Sequence, residues 1–293
     1  MASIRTIRRR IRSVRNIAQI TKAMEMVAAS KMRRAQSNVI ASRPYAETMR
    51  SLLAQLAGPA TRGTEPEDLH PLLRQRPVSR SAIILITSDR GLAASLNSNV
   101  IRTATAILLE KTDAGLEVPL VTVGRKGRDF MMRHRRDVIA EFTDMKDRPT
   151  LLDVAPIANL VVAGYTAGEF DAVDLVYTRF YSTLVQRPEV LPLLPITAGT
   201  ETPANLEYIY EPDAASVLSA LLPRFVEVQI YKAMLEAIAS EQSARMVAMR
   251  NATENAQELI QELTLTYNKV RQAGITREVT EIAAAAQALR ETS

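Results

Sequence analysis

The clearest sign of architecture in this chain is a C-terminal segment that reads ARMVAMRNATENAQELIQELTLTYNKVRQAG, residues 244–274. Its apolar residues recur at helical spacing, and Gly274 is the only glycine after residue 199. The stripe starts further upstream, so the sequence predicts one helix over residues 214–288, on the order of 110 Å long at 1.5 Å per residue. Its predicted seam consists of Val217, Leu221, Phe225, Val228, Leu235, Ile238, Met246, Met249, Leu259, Leu263, Tyr267 and Val270.

The N-terminal segment carries a second helical stripe. The predicted seam consists of Ile4, Ile7, Ile11, Val14, Ile17, Ile20, Met24 and Val27. Neither stripe can be buried by its own helix, so we expect the two helices to pair as an antiparallel coiled coil. Proline removes a helical hydrogen bond at a cost of ~3 kcal/mol or more. We therefore expect Pro44 to interrupt the first helix, and the last helix to begin near Pro223 or bend there.

The middle of the chain changes period. Short apolar runs alternate with amphipathic segments, a pattern typical of a parallel or mixed sheet covered by helices. Predicted strands lie at 82–86, 118–123, 138–142 and 171–181, and predicted helices at 92–111, 126–136 and 151–167. Five prolines exclude a long helix from residues 186–212. The predicted fold class is α/β plus long helices: a Rossmann-like α/β domain inserted into an antiparallel coiled coil. Its boundaries are 1–57 for the first helix, 58–80 for a connector, 81–212 for the domain and 213–293 for the last helix.

Charge is distributed unevenly along the chain. The formal net charge is +5, yet residues 1–43 hold nine Arg and two Lys against one acid, a net +10. A face with so little opposite charge indicates a negatively charged partner. The chain has no Cys, which excludes disulfides and thiolate chemistry. It also has no P-loop motif, and no apolar run approaches the ~20 residues of a membrane span.

One loop could hold a ligand. Residues 87–97, TSDRGLAASLN, follow the first predicted strand and precede a helix, so Ser88, Asp89, Arg90 and Gly91 could cradle a phosphate. The simpler interpretation is that Ser88 or Asp89 caps the following helix while Gly91 makes the turn. Two functions therefore stay open. The loop is compatible with a small-molecule enzyme that has a pocket around Asp89 and Arg90, and the N-terminal charge is compatible with a basic coiled-coil nucleic-acid-binding protein.

Several motifs, in order along the chain, resemble those of the gamma subunit family of F-type ATP synthases. The N-terminal signature is ITKAMEMVAASKMRRAQ (20–36), followed by ASRPYAETMR (41–50). Residues 87–97 resemble the family's strand–turn–helix motif, and LEYIYEP (206–212) its segment near the membrane ring. The C-terminal signatures are SEQSARMVAMRNATENA (240–256) and YNKVRQAGITREVTEI (267–282). This chain departs from the family at Ala93, Ala94 and Ser95, where Cys and Gly are common, and it lacks the paired Cys of chloroplast relatives.

The resemblance implies a central rotor shaft that couples proton-driven ring rotation to ATP synthesis. Such a shaft is a non-catalytic subunit without a cofactor. The implied partners are the alpha and beta subunits of the catalytic head, the epsilon subunit and the membrane c-ring, with no nucleic acid. The implied location is peripheral, on the cytoplasmic face of the bacterial inner membrane.

The resemblance also implies which residues act. Arg9 and Arg12 belong to a cluster that would oppose an acidic lever on the beta subunits, and Met24 would face the same lever. The positions implied for a polar network with the head are Arg245, Arg271, Gln272, Thr276 and Glu278. The positions implied for contact with the ring are Tyr208 and Glu211.

Overall fold

A computed structural model describes residues 4–61, 70–197, 211 and 213–291 of the chain. Long helices stand at both ends, α1 at Ile4–Thr61 and α5 at Ala214–Glu291. Between them come a 3-10 turn at Pro71–Leu73 and then β1 Ser81–Ile86, α2 Leu96–Asp113, β2 Leu120–Val123, α3 Arg125–Arg133, β3 Val138–Phe142, α4 Leu151–Ala167, β4 Ala172–Phe180 and β5 Gln186–Leu194. The chain forms two compact units, one of residues 1–27 and 246–293 (unit 1) and one of residues 28–245 (unit 2). The predicted fold class is confirmed.

Unit 2 is built on a five-stranded sheet with the strand order β3-β2-β1-β4-β5. The first four strands are parallel, and β5 runs antiparallel to β4. Central strand β1 is buried along its whole length because helices cover both faces. Alternate residues of β1 enter different cores, as the two-residue period requires: Ala82, Ile84 and Ile86 pack with α1, α4 and α5, whereas Ile83 and Leu85 pack with α2 and α3.

Strand β5 was not predicted from the sequence. Its Pro188 pairs with Thr178 and its Pro192 with Asp174, and the strand lies at the edge of the sheet. Proline cannot donate to a strand ladder, so an edge strand tolerates it only where the missing N–H would face outward. The spacing of four places both proline nitrogens on one side of the strand. The proline content excluded a helix correctly, but it did not exclude an edge strand.

Both long helices run through their prolines. The expectation that Pro44 interrupts α1 is wrong, and α5 begins nine residues before Pro223 rather than near it. Buried side chains anchor each helix close to its proline: Met49 and Leu53 in α1, and Leu222 and Val226 in α5. This burial outweighs the ~3 kcal/mol cost of an internal proline. A bend of α5 at Pro223 stays a prediction.

Unit 1 is an antiparallel pair of helices. Contacts join Arg8 to Tyr267, Thr21 to Thr253 and Glu25 to Arg250, so residue numbers rise in α1 as they fall in α5. The predicted antiparallel pairing is therefore confirmed within unit 1. In unit 2, Leu53 and Leu56 of α1 share a core with Leu218 and Leu222 of α5.

The buried seam of unit 1 has spacings that alternate strictly between three and four residues. The predicted and the observed seam residues of α1 agree up to Val14 and differ after it. The buried or half-buried positions of α1 continue through Ala18, Thr21 and Glu25, whereas Ile17, Ile20 and Val27 are exposed. On α5 the seam passes through Met246, Met249, Thr253, Ala256 and Ile260, and Leu259 is exposed. The predicted seam followed the most apolar residues, but helix pairing follows the 3.5-residue period even where small or polar residues occupy it.

The hydroxyls of Thr21 and Thr253 form a buried hydrogen bond of 2.7 Å. We expect Thr21→Val or Thr253→Val alone to lower the free energy of unfolding by ~0.5–1.5 kcal/mol, because the remaining hydroxyl loses its partner on the other helix and keeps only a backbone carbonyl of its own helix. The double variant should be nearly as stable as the parent, since two apolar groups of the same shape replace the pair. A denaturant double-mutant cycle measures this, and additive losses would contradict it.

Candidate functional site

The loop after β1 lies at the carboxyl edge of the sheet, where parallel α/β folds usually bind ligands. Three of its acceptors bind the first turn of α3. The Asp89 carboxylate accepts from Arg125 N–H at 3.0 Å, the Ser88 carbonyl accepts from Lys126 N–H at 3.2 Å, and Thr87 Oγ1 accepts from Gly127 N–H at 2.8 Å. The N–H groups of Arg125, Lys126 and Gly127, which could have held an anion at the start of α3, are therefore already paired. Asp89 therefore caps α3, which corrects the expectation that it caps α2.

The rest of the loop delays the start of α2. Leu92 and Ala94 both adopt positive φ, 65° and 49°, so helix begins at Leu96 instead of the predicted Leu92. The Asn97 side chain closes the loop by accepting from the Ser88 N–H at 3.1 Å and donating to the Ser88 hydroxyl at 2.8 Å. Left-handed backbone is costly for residues other than glycine.

Helix α5 packs across the crevice at this edge. Met234, Ala237, Ile238 and Glu241 face the ends of β1, β2 and β4, and the remaining cavity has a volume of about 60 Å³. That is room for a few water molecules and too little for a nucleotide. The chain's own helix thus occupies the position where a Rossmann-type ligand would lie.

Arg245 ties α5 to the same loop. Its guanidinium donates to the Gly91 carbonyl at 3.1 Å and to the Glu241 carboxylate at 2.6 Å. The Arg245 side chain is 11% exposed and that of Glu241 16%. Burial raises the pKa of Glu241, and Arg245 opposes the shift. Arg245, predicted as a head contact, is therefore engaged within unit 2.

A second buried acid, Glu236, lies between α5 and the β4–β5 pair. Its nearest cation is Arg179, whose Nε is 3.9 Å from Oε2, but Arg179 already binds Glu189 with both carboxylate oxygens near 3 Å. Glu236 Oε2 has no hydrogen-bond partner among the described residues. Burial raises the pKa of Glu236, Lys232 and Arg179 oppose this, and Glu189 adds to it.

A raised carboxyl pKa means that folding favours the protonated form. The resulting stability is present at low pH and is lost as pH rises through the folded-state pKa. We therefore expect Glu236→Gln to be more stable than the parent above that pKa, by ~1 kcal/mol, with the difference vanishing at acid pH. Unfolding midpoints across pH measure this. A difference that does not change with pH would contradict it.

Unit 1 presents a cationic surface. Arg9, Arg12 and Arg15 are exposed on α1, and Arg8 donates to the Tyr267 hydroxyl at 2.8 Å with its guanidinium over the ring. That contact holds the pKa of Tyr267 below its ordinary value. The expected surface position of Arg9 and Arg12 is thus observed, while Arg8 serves the helix pair.

Exposed apolar residues lie beside these cations. Ile17, Ile20, Met26 and Val27 are 49–60% exposed on α1. Sequence reasoning missed this surface because it assigned three of them to the seam. The signal that could have found it is the strict seam period, which places Ala18 and Thr21 inward. Large exposed apolar residues that cluster on one element indicate a partner surface.

The other predicted site residues lie as follows. Met24 is half-buried in α1, and Arg271, Gln272, Thr276 and Glu278 are exposed on α5. Glu211 is exposed before α5, and Tyr208 lies outside the described residues. The four α5 positions occur within eight residues of one helix in unit 1. Their contacts with a head, and those of Glu211 with a ring, stay predictions.

The described residues contain neither a cluster of metal ligands nor a membrane-spanning helix. Across 4–61, 70–197 and 213–291, the structure groups no three His, Asp or Glu side chains that could hold a metal ion. In the part of the chain that the structure describes, no helix is long and apolar enough to cross a bilayer.

These features define a class of protein: an antiparallel helix pair with a cationic and apolar outer surface, joined to an α/β unit whose ligand crevice is filled by its own helix. Comparison with known proteins identifies the family within this class. The chain matches the family described as ATP synthase over residues 3–289. It is 54% identical to the ATP synthase gamma chain of Roseiflexus castenholzii, covering 99% of this chain and 100% of the relative. It is 52% identical to that of Dehalococcoides mccartyi, with 99% and 100% covered.

Solved structures agree. The central stalk and c-ring structure of Tetrahymena thermophila mitochondrial ATP synthase contains a chain 26% identical to this one, with a TM-score of 0.63 over 80% of this chain and 99% of that chain. A chain of the Euglena gracilis enzyme has the same fold, with a TM-score of 0.68 at 20% identity, over 98% and 94% of the two chains. The chain belongs to the ATP synthase gamma chain family.

Proposed function

We propose that this chain is the central rotor shaft of an F-type ATP synthase and couples rotation of a proton-driven ring to ATP synthesis in an alpha–beta head. The observation that carries the proposal is the unit 1 helix pair, whose seam is closed while its cations and large apolar residues stay exposed. Family membership supports the same assignment. The cationic coiled coil is in this interpretation a protein-binding surface rather than a nucleic-acid-binding one.

A shaft transmits torque if it is stiff and asymmetric. The Thr21–Thr253 and Glu25–Arg250 contacts join the two helices and supply stiffness. Asymmetry comes from α1, which exposes cations and large apolar residues. One such chain inside a threefold head presents a different surface to each catalytic site. Each site then prefers a different conformation, and rotation moves each site through all three in turn.

The proposed contacts with the head are Arg9, Arg12, Met24, Arg271, Gln272, Thr276 and Glu278. Arg245 is also proposed as a head contact. Within the chain its guanidinium binds the Gly91 carbonyl and the Glu241 carboxylate. The ring and the epsilon subunit would contact the chain near Tyr208 and Glu211. The proposed domains remain 1–57, 58–80, 81–212 and 213–293, and the proposed location is the cytoplasmic face of a bacterial inner membrane.

We propose further that the chain has no catalytic activity of its own. The filled crevice at the end of β1 and the internally paired turn of α3 support this. The small-molecule enzyme alternative needs an open pocket around Asp89 and Arg90, and Asp89 is instead bonded to Arg125 N–H.

Reconstitution tests the proposal. The purified chain should show no ATP hydrolysis, whereas adding it to a cognate alpha–beta assembly should raise that assembly's hydrolysis rate severalfold and give directional rotation of a probe fixed to unit 2. A chain that hydrolyses ATP by itself, or that leaves the alpha–beta rate unchanged while binding nucleic acid in a salt-sensitive way, would overturn it.

A further inference from the structure

A groove lies between the two long helices within unit 2, beside the start of α4. We call it the α1–α5 groove, and its walls include Ala41 and Tyr45 of α1, Leu151 of α4, and Val228 and Tyr231 of α5. Its volume is about 320 Å³. Small-molecule sites in proteins usually have volumes of ~300–1,000 Å³, so the groove is large enough for a compact organic molecule.

The sequence of α1 explains why the helices leave this space. The residues of α1 that line the groove have helical spacing, and the two in the middle of this face are Ala41 and Ser42. Their side chains are too small to fill the gap. The Ser42 hydroxyl donates to the Val39 carbonyl of its own helix at 2.9 Å, so it does not reach across to α5.

Three polar groups at the groove are left unpaired. Among the residues that the structure describes, no hydrogen bond or ion pair joins the Asn38 amide, the Tyr231 hydroxyl or the Lys232 ammonium group to another side chain or to the backbone. Tyr231 and Lys232 are half-buried, so they have lost part of their hydration without gaining a partner. This loss costs free energy, and a bound molecule that accepts from these donors would offset it.

The charge at the groove favours an anion. All three groups can donate, and within the described part of the chain no Asp or Glu lines the groove. The acid nearest to Lys232 along α5 is Glu236, one turn further on and buried. Burial raises the pKa of Glu236, so its carboxyl neutralises the Lys232 ammonium less than an exposed glutamate would. One uncompensated cation suits a ligand with a single negative charge.

The remaining surface of the groove is mostly apolar. Val228 is buried, Leu151 is half-buried, and Tyr45 is 49% exposed. The Tyr45 hydroxyl interacts with Arg224, so the Tyr45 ring is the part that remains for a ligand. Apolar walls with a few polar groups at fixed positions are typical of sites for organic molecules, and an inorganic anion would gain nothing from such walls.

We propose that the α1–α5 groove binds a small amphipathic carboxylate. Its carboxylate accepts from the Lys232 ammonium, the Tyr231 hydroxyl and the Asn38 amide. Its aromatic or aliphatic body lies against Tyr45 and Val228. The bound molecule joins α1 to α5 and thereby stabilises unit 2. Because the groove belongs to unit 2 alone, binding there does not depend on the proposed coupling to a head.

Phenylbutyrate is a suitable probe, because it combines one carboxylate with a compact apolar body. The full chain is labelled with fluorotyrosine, and fluorine NMR resonances are assigned with single phenylalanine variants. We expect phenylbutyrate to shift the Tyr231 and Tyr45 resonances with a Kd of about a millimolar or tighter, and to leave that of buried Tyr165 unchanged. Phenylbutyramide, which lacks the charge, should bind about tenfold more weakly. A probe that leaves the Tyr231 resonance unmoved would overturn the proposal.

Variants test the charge and the space separately. Lys232→Gln should weaken phenylbutyrate binding about tenfold, because it removes the cation. Lys126→Gln, the matched control, removes an exposed cation of α3 outside the groove and should leave the affinity unchanged. Ala41→Leu should abolish binding by filling the groove. Position 41 is exposed and leucine is a good helix former, so this variant should unfold at the temperature of the parent. Parent-like affinity in Lys232→Gln or in Ala41→Leu would show that the probe binds elsewhere, which refutes the assignment.

Competitors identify the class of ligand. Acetate and inorganic phosphate lack an apolar body, so neither should displace phenylbutyrate at equal concentration. Displacement by either would assign the groove to a free anion, and displacement by a cognate alpha–beta assembly would assign it to a protein partner; both results contradict the proposal. Lys232→Gln should stimulate that assembly as the parent does. A failure of the parent to stimulate it refutes the proposed function and leaves the groove measurement unaffected.

Discussion

Reversing Arg9, Arg12 and Arg15 to glutamate is expected to uncouple the assembled complex. All three side chains are exposed on α1, while the seam residues Ile7 and Thr21 stay intact, so the chain should still fold. An unbalanced cationic face is tolerated where a negative partner lies within a Debye length, ~8 Å at physiological salt. Placing glutamates against that partner costs several kcal/mol, so assembly with the head should weaken at least about tenfold.

Proton pumping per ATP should fall further than ATP hydrolysis. The head can still hydrolyse ATP when its contacts with the shaft are weak, whereas pumping needs those contacts to transmit torque. The matched control reverses Arg133, Arg135 and Arg136, three exposed or half-exposed cations of unit 2. The control should assemble with the head as the parent does. If the α1 triple assembles normally and pumps with undiminished yield, its arginines form only a solvated face.

Gly124→Ala is expected to have the largest effect on folding. Gly124 has φ 94° and ψ 143°, a backbone region almost restricted to glycine. A Cβ there would lie 2.1 Å from the Thr87 carbonyl oxygen, in the loop that caps α3. Strain and clash together should cost about 3–5 kcal/mol, a large part of the stability of an ordinary domain.

Gly115→Ala is the matched control. Gly115 has φ 84°, also positive, but a Cβ there meets nothing within 4 Å. Left-handed strain alone should cost about 1–2 kcal/mol. Thermal unfolding of the two variants separates clash from strain. Similar losses in both would mean that contact with Thr87 adds nothing.

Periodicity predicted most of unit 2 correctly. β3 at 138–142 and α4 at 151–167 match the structure, because strand and helix patterns change there without ambiguity. α2 was expected to start too early because single-sequence patterns do not reveal the left-handed Leu92 and Ala94. β5 was missed because its prolines show only that some backbone N–H groups are absent. They do not show that the strand lies at the edge of a sheet, where such absences are tolerated.

The seam of unit 1 was only half predictable. Hydrophobicity located Ile7 and Met249 inside, but it also drew in Ile17 and Ile20, which are exposed. Glu25 lies in the seam at 7% exposure because Lys22 and Arg250 satisfy its carboxylate from both helices. A sequence read one helix at a time cannot show such a partner. The charge of the α1 face, in contrast, could be predicted. Arginines at positions outside the seam of a helix pair extend into solvent, as Arg9, Arg12 and Arg15 do.

Helix α5 behaves toward the crevice at the end of β1 as a ligand that is covalently tethered to its receptor. A linked group meets its site at an effective concentration of the order of millimolar or higher. A free nucleotide would have to displace Met234, Ile238 and Glu241 from the cavity that they line, at every encounter. We therefore expect the crevice to stay filled by the chain itself at any concentration of free nucleotide.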